Sequence, residues 1–207
     1  VSRLDFSKVA KVDEESAPLR LAILGKPNTG QSPLLNRLIG EDKAIVSDIA
    51  GTTRDIVEGS FERRGKRFVV LDTAGIRRKG KVTENVEYYS VTRSIKVVLD
   101  CDVVVLMIDA VEGLTDQDKK IAAFAVAEGR GVVFALNKWD MMPELKNSFE
   151  AARDKLRFFF GQMAYAPVLP LSAKKGEGVD KLVTTIVTLY GQLNRKIETA
   201  KLNKAVA

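Results

Sequence analysis

A glycine-rich segment at residues 25–32 has the spacing needed to bind a phosphate. It follows the pattern G-x-x-x-x-G-K-[ST], in which glycines let the backbone wrap a phosphate and the final hydroxyl can bind Mg²⁺. Gly25, Gly30 and Ser32 match, but Gln31 stands where the pattern has lysine. A helix beginning here would add the partial positive charge of its N-terminus. A plain turn before a helix is the alternative. The predicted phosphate-binding residues are Gly25, Lys26, Pro27, Asn28, Thr29, Gly30, Gln31, Ser32 and Pro33.

Two further segments carry groups suited to a metal-bound phosphate. Asp72 follows an apolar run and can hold a water molecule on Mg²⁺, while the N–H of Gly75 can reach a terminal phosphate. Thr53, in a loop rich in small residues, can supply a second hydroxyl to Mg²⁺. Each segment alone is also explained as an ordinary turn or solvent loop. The ligand-contacting residues predicted after the apolar run are Asp72, Thr73, Ala74, Gly75 and Ile76.

The segment at residues 137–140 indicates which base would be bound. The carboxylate of Asp140 can accept two hydrogen bonds from guanine, whereas adenine lacks this pair of donors and would leave the carboxylate unpaired. Asn137 would tie the loop together, and the stem of Lys138 would cover the base. At residues 172–174, a small residue would let a backbone N–H reach the guanine carbonyl. A polar loop after a strand is the plainer alternative. The predicted base-binding residues are Asn137, Lys138, Trp139, Asp140, Ser172, Ala173 and Lys174.

These segments lie between elements that alternate in type. Apolar runs predict strands at 19–24, 68–71, 103–108, 132–136 and 168–171. Helical spacing predicts helices at 31–38, 87–99, 116–128, 149–160 and 179–190. The alternation indicates an α/β three-layer sandwich, a mostly parallel sheet with helices on both faces. Residues 57–63 alternate more and predict an antiparallel edge strand. Four motifs at strand ends, in this order, predict the P-loop GTPase (Ras-like) form of this fold, holding GTP or GDP with Mg²⁺.

Composition limits the class of protein. The chain has 207 residues, of which 45% are hydrophobic, which is enough for one domain with a core. It has no histidine, so Ser-His catalysis and His-ligated metals are excluded. The single cysteine, Cys101, indicates a reducing compartment. No apolar run approaches the ~20 residues needed to span a bilayer. The net charge of +6 fits either an anionic partner such as RNA or a merely soluble surface.

The motifs resemble the Era, MnmE and Der group of GTPases, and within it the second GTPase domain of the Der (EngA) family. The resemblance is carried by residues 25–28, 45–48, 51–55, 72–80 and 137–140. It implies a bacterial cytoplasmic GTPase acting in assembly of the large ribosomal subunit, with rRNA as a partner. No membrane is expected as a partner, on the lengths of the apolar runs. It also implies a first GTPase domain and a KH-like domain in cis. The expected organisation is a tail at 1–17, a GTPase domain at 18–198, and a linker beginning at 199–207 toward an absent C-terminal domain.

The resemblance also implies a mechanism, from which this sequence departs twice. The family lacks a catalytic glutamine, and Ile76 stands at that position. A K⁺ held by Asn28 is implied to supply charge beside the phosphates. Lysine is usual at Gln31 and threonine at Pro33, and both changes remove groups that contact phosphate. We therefore predict weak nucleotide affinity and slow turnover. The residues assigned to catalysis are Gln31, Thr53, Gly75 and Asn28. Those assigned to metal are Ser32, Thr53, Asp72 and Asn28.

Three functions remain open at this stage. The leading one is hydrolysis of GTP to GDP and phosphate. The second is a nucleotide-responsive module that binds the ribosome or RNA with little or no catalysis, which Gln31 and Pro33 favour. The third is a plain RNA-binding domain, supported only by charge. The sequence shows no aromatic stacking platform for it, and the Asp140 loop would then have no purpose.

Overall fold

A mixed sheet of six strands forms the centre of the structure. The computed structural model describes residues 17–40, 59–71, 94–143 and 147–195. The strands are β1 (Leu19–Gly25), β2 (Ser60–Arg63), β3 (Lys66–Val70), β4 (Val103–Asp109), β5 (Gly131–Asn137) and β6 (Val168–Pro170). Their order across the sheet is β2-β3-β1-β4-β5-β6. Only β2 pairs antiparallel within these described strands, and the other neighbours are parallel.

The sheet is covered by helices on both faces. The helices are α1 (Gln31–Gly40), α2 (Asp116–Ala127), α3 (Ser148–Phe159) and α4 (Val179–Leu193), and residues 94–100 are also helical. One core packs α1 and α4 against the sheet, and a second packs α2, α3 and the 94–100 helix against the opposite face. The predicted α/β three-layer sandwich is therefore confirmed. None of the helices in the described ranges is long and apolar enough to cross a bilayer.

The central strands are apolar along their whole length because both faces are buried. All residues of β4 and β5 are buried, and their register pairs Asp109 with Asn137 at the carboxyl edge of the sheet. The outer hairpin of β2 and β3 turns through Arg64 and Gly65, whose φ angles are 56° and 69°. Such positive values suit a tight two-residue turn. Because neighbouring strands are parallel, the polar residues at their carboxyl ends, such as Asp109 and Asn137, lie on one edge of the sheet.

The sequence predicted most elements but placed several ends differently. β3 begins at Lys66 rather than at residue 68, because pairing with β2 brings polar residues into the hairpin. β6 ends at Pro170, and the next carbonyl, that of Leu171, accepts a hydrogen bond from the Trp139 N–H instead. The last helix continues beyond the predicted residue 190 to Leu193. The predicted helix at 87–99 and edge strand at 57–63 begin outside the described residues.

Candidate nucleotide-binding site

The turn from β1 into α1 passes close to two other strands. Gly25, Asn28 and Gly30 have φ angles of 151°, 68° and 98°. A Cβ atom on Gly25 would lie 2.3 Å from the Met107 carbonyl oxygen, and one on Gly30 would lie 2.1 Å from Nδ2 of Asn137. Both glycines are therefore required by close approach as well as by backbone angle. The loop is fixed against the ends of β4 and β5.

The loop is also closed by hydrogen bonds of its own. The N–H and hydroxyl of Thr29 both donate to the carbonyl of Lys26, at 3.3 and 2.8 Å. The first backbone bond at the start of α1 runs from Leu34 N–H to the Gly30 carbonyl. Pro33 lies before it, among the N–H positions that have no partner within a helix. Proline is therefore compatible with α1, but it removes one donor at the helix start.

Gln31 braces the two ends of the loop. Its side chain is buried, and its Nε2 donates to the carbonyl of Gly25 at 3.0 Å. Lys26, the basic residue inside the loop, forms an exposed ion pair of 2.8 Å with Glu112. Neither side chain places a positive charge where the phosphate pattern has its lysine. The amide of Gln31 is a neutral donor, and its hydrogen bond goes to a backbone carbonyl of the loop.

Asn137 joins the phosphate loop to the base-binding loops. Its side chain is only 3% exposed, its Nδ2 donates to the Thr29 carbonyl at 2.6 Å, and its Oδ1 accepts from the Ala173 N–H at 2.9 Å. The carboxyl ends of three strands are thus connected by one amide. The sequence predicted that Asn137 would tie the loop together, and the structure gives the two atoms that it holds.

Replacing Asn137 with alanine is expected to lower the free energy of unfolding by roughly 2–4 kcal/mol, because it leaves a buried carbonyl and a buried N–H unpaired. Urea denaturation at neutral pH measures the change. Asn36→Ala is the matched control, since Asn36 is exposed on α1. Equal stability of the two variants would show that the bridge contributes little.

The carboxylate of Asp140 is held in its ionised, hydrogen-bond-accepting form. It lies in a short 3₁₀ turn, Trp139–Met141, that Lys138 enters with a φ angle of 61°. A hydrogen bond from the Ser172 side chain is the main cause that lowers the pKa of Asp140, and Lys175 adds attraction at 3.5 Å. The structure therefore brings residues 140 and 172, two of the predicted base-binding positions, into contact.

Trp139 anchors this turn from the other side. Its ring is half-buried and meets the edge of the Phe149 ring, with centroids 5.8 Å apart. Both residues pack against the core beneath α2 and α3. Trp139 was predicted among the nucleotide-contacting residues. Its packing shows a structural role, that of fixing the turn that carries Asp140.

Asp109 is a component of the site that sequence reasoning missed. It ends β4, is 4% exposed, and accepts from the N–H groups of Val111 and Glu112 at 2.9 and 3.2 Å. Lys138 lies 2.5 Å from its other oxygen. Burial alone would raise the pKa of Asp109, but Lys138 and the two amides more than offset this and lower it. The available signal was an aspartate at the end of an apolar run, the same signal that drew attention to Asp72.

The Asp109 contacts connect the two halves of the site. Lys26 pairs with Glu112, the Glu112 N–H binds Asp109, and Asp109 pairs with Lys138. A continuous set of contacts therefore connects the phosphate loop with the base loop. The orientation of the Lys138 stem is fixed by a buried carboxylate rather than by solvent.

Asp109 should make stability depend on pH in the acid range. Its pKa is lowered in the folded state, so its contribution is present at neutral pH and is lost as the pH falls through the folded pKa, below the ordinary range of an aspartate. Asp109→Asn should lower the free energy of unfolding at pH 7, and it should make that free energy depend less on pH in the acid range. Urea midpoints between about pH 3 and 7 measure this.

The matched control is Asp116→Asn. Its pKa is lowered by Lys119, but Asp116 is exposed, so its removal should change stability little. Parallel pH curves for the Asp109 variant and the unaltered chain would contradict the assignment.

The remaining predicted site residues fall into three groups. Pro33, Ala173 and Lys174 line a cavity of about 470 Å³ together with Asn36 and Arg37. Ser32 lies in the first turn of α1, and Pro27 and Asn28 lie in the phosphate loop. The others lie outside the described residues: Thr53, Asp72, Thr73, Ala74, Gly75 and Ile76.

Comparison with known proteins identifies relatives of this architecture. Residues 20–138 match the family described as 50S ribosome-binding GTPase. GTPase Der of Borreliella burgdorferi is 46% identical over 203 residues, which is 97% of this chain and 47% of that protein. GTPase Der of Caldanaerobacter subterraneus is 39% identical over 195 residues, 94% of this chain and 44% of that protein. The chain therefore spans about half the length of these relatives.

Solved structures show the same fold. A structure of Era bound to MgGDPNP and a segment of 16S ribosomal RNA has a TM-score of 0.60 at 29% identity, and the match covers 82% of this chain and 56% of that one. Elongation factor SelB from Methanococcus maripaludis has a TM-score of 0.66 at 18% identity, over 89% of this chain and 36% of that one, which shows the fold alone. On the strength of the family match and the Der relatives, the chain belongs to the 50S ribosome-binding GTPase family, as a GTPase domain of the Der type.

Proposed function

We propose that this chain binds GTP and GDP with Mg²⁺ and hydrolyses GTP to GDP and phosphate, as part of a longer protein that acts in assembly of the large ribosomal subunit. The observation that carries the proposal is the bridge made by Asn137. It holds the glycine-rich loop and the 172–174 loop at a fixed separation, with Asp140 beside them. That arrangement suits a ligand with phosphates at one end and a guanine at the other.

In this proposal the base is read by Asp140 and by a backbone donor. The Asp140 carboxylate accepts from the ring N–H and the exocyclic amine of guanine, and its lowered pKa supports an acceptor role. The Ala173 N–H already donates to Asn137. The donor to the guanine carbonyl is therefore proposed to be the next backbone N–H, that of Lys174. The Lys138 stem, fixed by Asp109, covers the base. A cavity beside Ala173 and Lys174 borders the loop that carries this donor.

The phosphates are proposed to lie on the 25–30 loop at the start of α1. Backbone N–H groups and the helix terminus favour an anion there. The Ser32 hydroxyl, in the first turn of α1, is suited to a hard cation such as Mg²⁺, and Thr53 and Asp72 are proposed to complete its ligands. The cation supplies charge that offsets the charge of the phosphates. Gly75 is proposed to contact the terminal phosphate.

Asn28 is proposed to hold K⁺ beside the phosphates. It is exposed at the tip of the loop in a left-handed conformation, so its side-chain oxygen is available on the outer side. Turnover should therefore be faster in K⁺ than in Na⁺ at equal ionic strength. Asn28→Ala should abolish the difference. Identical rates in the two salts for the unaltered chain would remove K⁺ from the mechanism.

The binding of guanine nucleotides is tested by isothermal titration with GDP, GTP and ATP in K⁺ and Mg²⁺. Measurable binding of GDP and GTP, without binding of ATP, is the expected result. Equal affinity for ATP and GTP would refute the assignment of Asp140. Weak binding overall is expected because Gln31 supplies no charge and Pro33 no N–H.

A second candidate is a nucleotide-responsive module that binds ribosome or RNA with little or no catalysis. The contact that favours it is Gln31 with the Gly25 carbonyl, which leaves the loop without a cation at the lysine position. Steady-state phosphate release from GTP separates the two functions. Phosphate release that is faster with the protein than without it supports the GTPase. Phosphate release at the same rate with and without the protein supports the binding module.

The wider setting also belongs to the proposal. We place a first GTPase domain and a KH-like domain in the longer protein, with rRNA as partner and the cytoplasm as compartment. Within this chain the proposed GTPase domain is 18–198, between a tail at 1–17 and a linker beginning at 199–207.

A further inference from the structure

Two phenylalanines near the end of α3 are exposed to solvent. Phe158 is 84% exposed and Phe159 is 45% exposed. Their rings meet edge to face with centroids 5.8 Å apart, and neither residue is among the buried side chains of the two cores. The sequence analysis expected no aromatic platform. The third member of the run 158–160, Phe160, is buried and packs against Phe134.

One basic side chain lies over a ring of this pair, and others are exposed on the same helices. The ammonium of Lys119 lies 4.7 Å from the centre of the Phe159 ring. Lys120, Lys155 and Arg157 are exposed on the same two helices, α2 and α3. The carboxylates of Asp116 and Asp154 are engaged by Lys119 and Arg153, at 3.0 and 3.2 Å. We call these residues the Phe158–Phe159 surface: Lys119, Lys120, Lys155, Arg157, Phe158 and Phe159.

A recess opens beside this surface. It has a volume of about 310 Å³, and its lining includes Lys155 and Phe159 together with Leu114, Trp139 and Leu156. Its walls are mostly apolar, and the polar groups of Asp109 and Ser148 also line it. A recess of this size and character accommodates a single flat ring that carries polar atoms on its edge.

We propose that the Phe158–Phe159 surface binds unpaired RNA, with a base stacked on the open Phe158 ring and phosphates held by the cations of α2 and α3. Stacking on an aromatic face and attraction of the backbone to Lys and Arg are the two interactions by which proteins hold single strands. The recess takes a base splayed out of the strand. The cations near the rings favour an anionic strand such as RNA as the partner. They disfavour a protein surface that has few acidic residues. They also disfavour a second copy of this chain, because that copy would carry the same cations.

This inference extends the ribosome-directed part of the proposed function, but it does not depend on guanine nucleotides. The residues varied in the tests below lie on α2 and α3 and are distinct from Asn137 and Asp140, although the recess beside them shares Asp109 and Trp139 with the nucleotide site. RNA binding without nucleotide and nucleotide binding without RNA are therefore separate results, and either can fail alone.

Fluorescence anisotropy with a labelled single-stranded adenylate of about ten nucleotides tests the proposal on the whole 207-residue chain. Phe158→Leu should weaken binding by roughly five- to hundredfold, because it removes a stacking face but keeps an apolar side chain. Tyr165→Leu is the matched control, since Tyr165 is 70% exposed in the turn before β6, and its affinity should not change. Because Phe158 is exposed, the variant should unfold at the same temperature as the unaltered chain.

The electrostatic part is tested by Lys155→Gln with Arg157→Gln. The slope of log affinity against log salt should become shallower by roughly 0.7 for each cation removed. Three results would overturn the proposal. They are unchanged RNA affinity of Phe158→Leu, equal binding of a duplex RNA of the same length, and a change in self-association on sedimentation with no change in RNA affinity. The last result would assign the surface to a contact between copies.

Discussion

Gln31→Lys is expected to tighten GTP binding by roughly ten- to hundredfold, which corresponds to about 1.5–3 kcal/mol for a hydrogen bond to a charged group. The lysine ammonium has three donors. One can replace the present bond to the Gly25 carbonyl while the others reach phosphate oxygens. GDP binding should improve less, because GDP lacks the terminal phosphate. The rate of phosphate release should rise by more than GTP affinity, since charge develops on the phosphate oxygens in the transition state.

Titration calorimetry and steady-state phosphate release measure these effects. Gln162→Lys is the matched control, because it adds the same charge at an exposed glutamine distant in sequence from the loop. Gln31→Met tests the brace itself: it keeps the length of the side chain, loses the donor to Gly25, and should bind GTP no better than the unaltered chain. An affinity for GTP that stays constant in Gln31→Lys would show that charge at this position does not limit binding.

Asp140→Asn is expected to reduce the preference for guanine over adenine nucleotides by at least about a hundredfold. The asparagine amide can offer only one acceptor, and its N–H₂ group would face the exocyclic amine of guanine, so one donor on each side stays unpaired. Xanthine carries a carbonyl in place of that amine and should bind the variant better than guanine does. The asparagine also loses the attraction to Lys175 that the carboxylate has at 3.5 Å.

Calorimetry with GDP, ADP and XDP measures the change in preference. Asp154→Asn is the matched control, because Asp154 is an exposed carboxylate on α3 whose partner is its neighbour Arg153. Should the variant keep the guanine preference of the unaltered chain, the base would have to be read by another group.

The sequence predicted those parts of the structure that depend on local pattern. Buried strands such as β4 and β5 are continuous apolar runs, so their positions were found to within a residue at each end. The glycine positions of the phosphate loop were also found, because a tight turn demands glycine wherever it occurs. Asn137 was expected to tie the loop together because it stands where an apolar run ends, and its side chain bridges two loops. The base contact of Asp140 stays a prediction.

The sequence could not predict which distant groups meet. Glu112 is separated from Lys26 by 86 residues, yet their side chains are in contact. Asp109, just after the predicted strand at 103–108, was not singled out, since nothing local indicates that Lys138 lies beside it in the folded sheet. The exposure of Phe158 was missed for the same reason. Burial depends on which face of α3 meets the sheet, and a run of three aromatic residues does not reveal that.

The bridge through Asn137 couples the stability of the fold to the binding of a nucleotide. It joins groups 108 residues apart on one side and 36 on the other, so the site can be assembled only when β1, β5 and the 172–174 loop are all docked. A nucleotide that needs this assembly cannot bind a partly folded chain. It therefore acts as a thermodynamic clamp, adding about 2.7 kcal/mol of stability at a concentration a hundredfold above its dissociation constant. Resistance to proteases, and with it the amount of protein present, should rise and fall with the supply of guanine nucleotide.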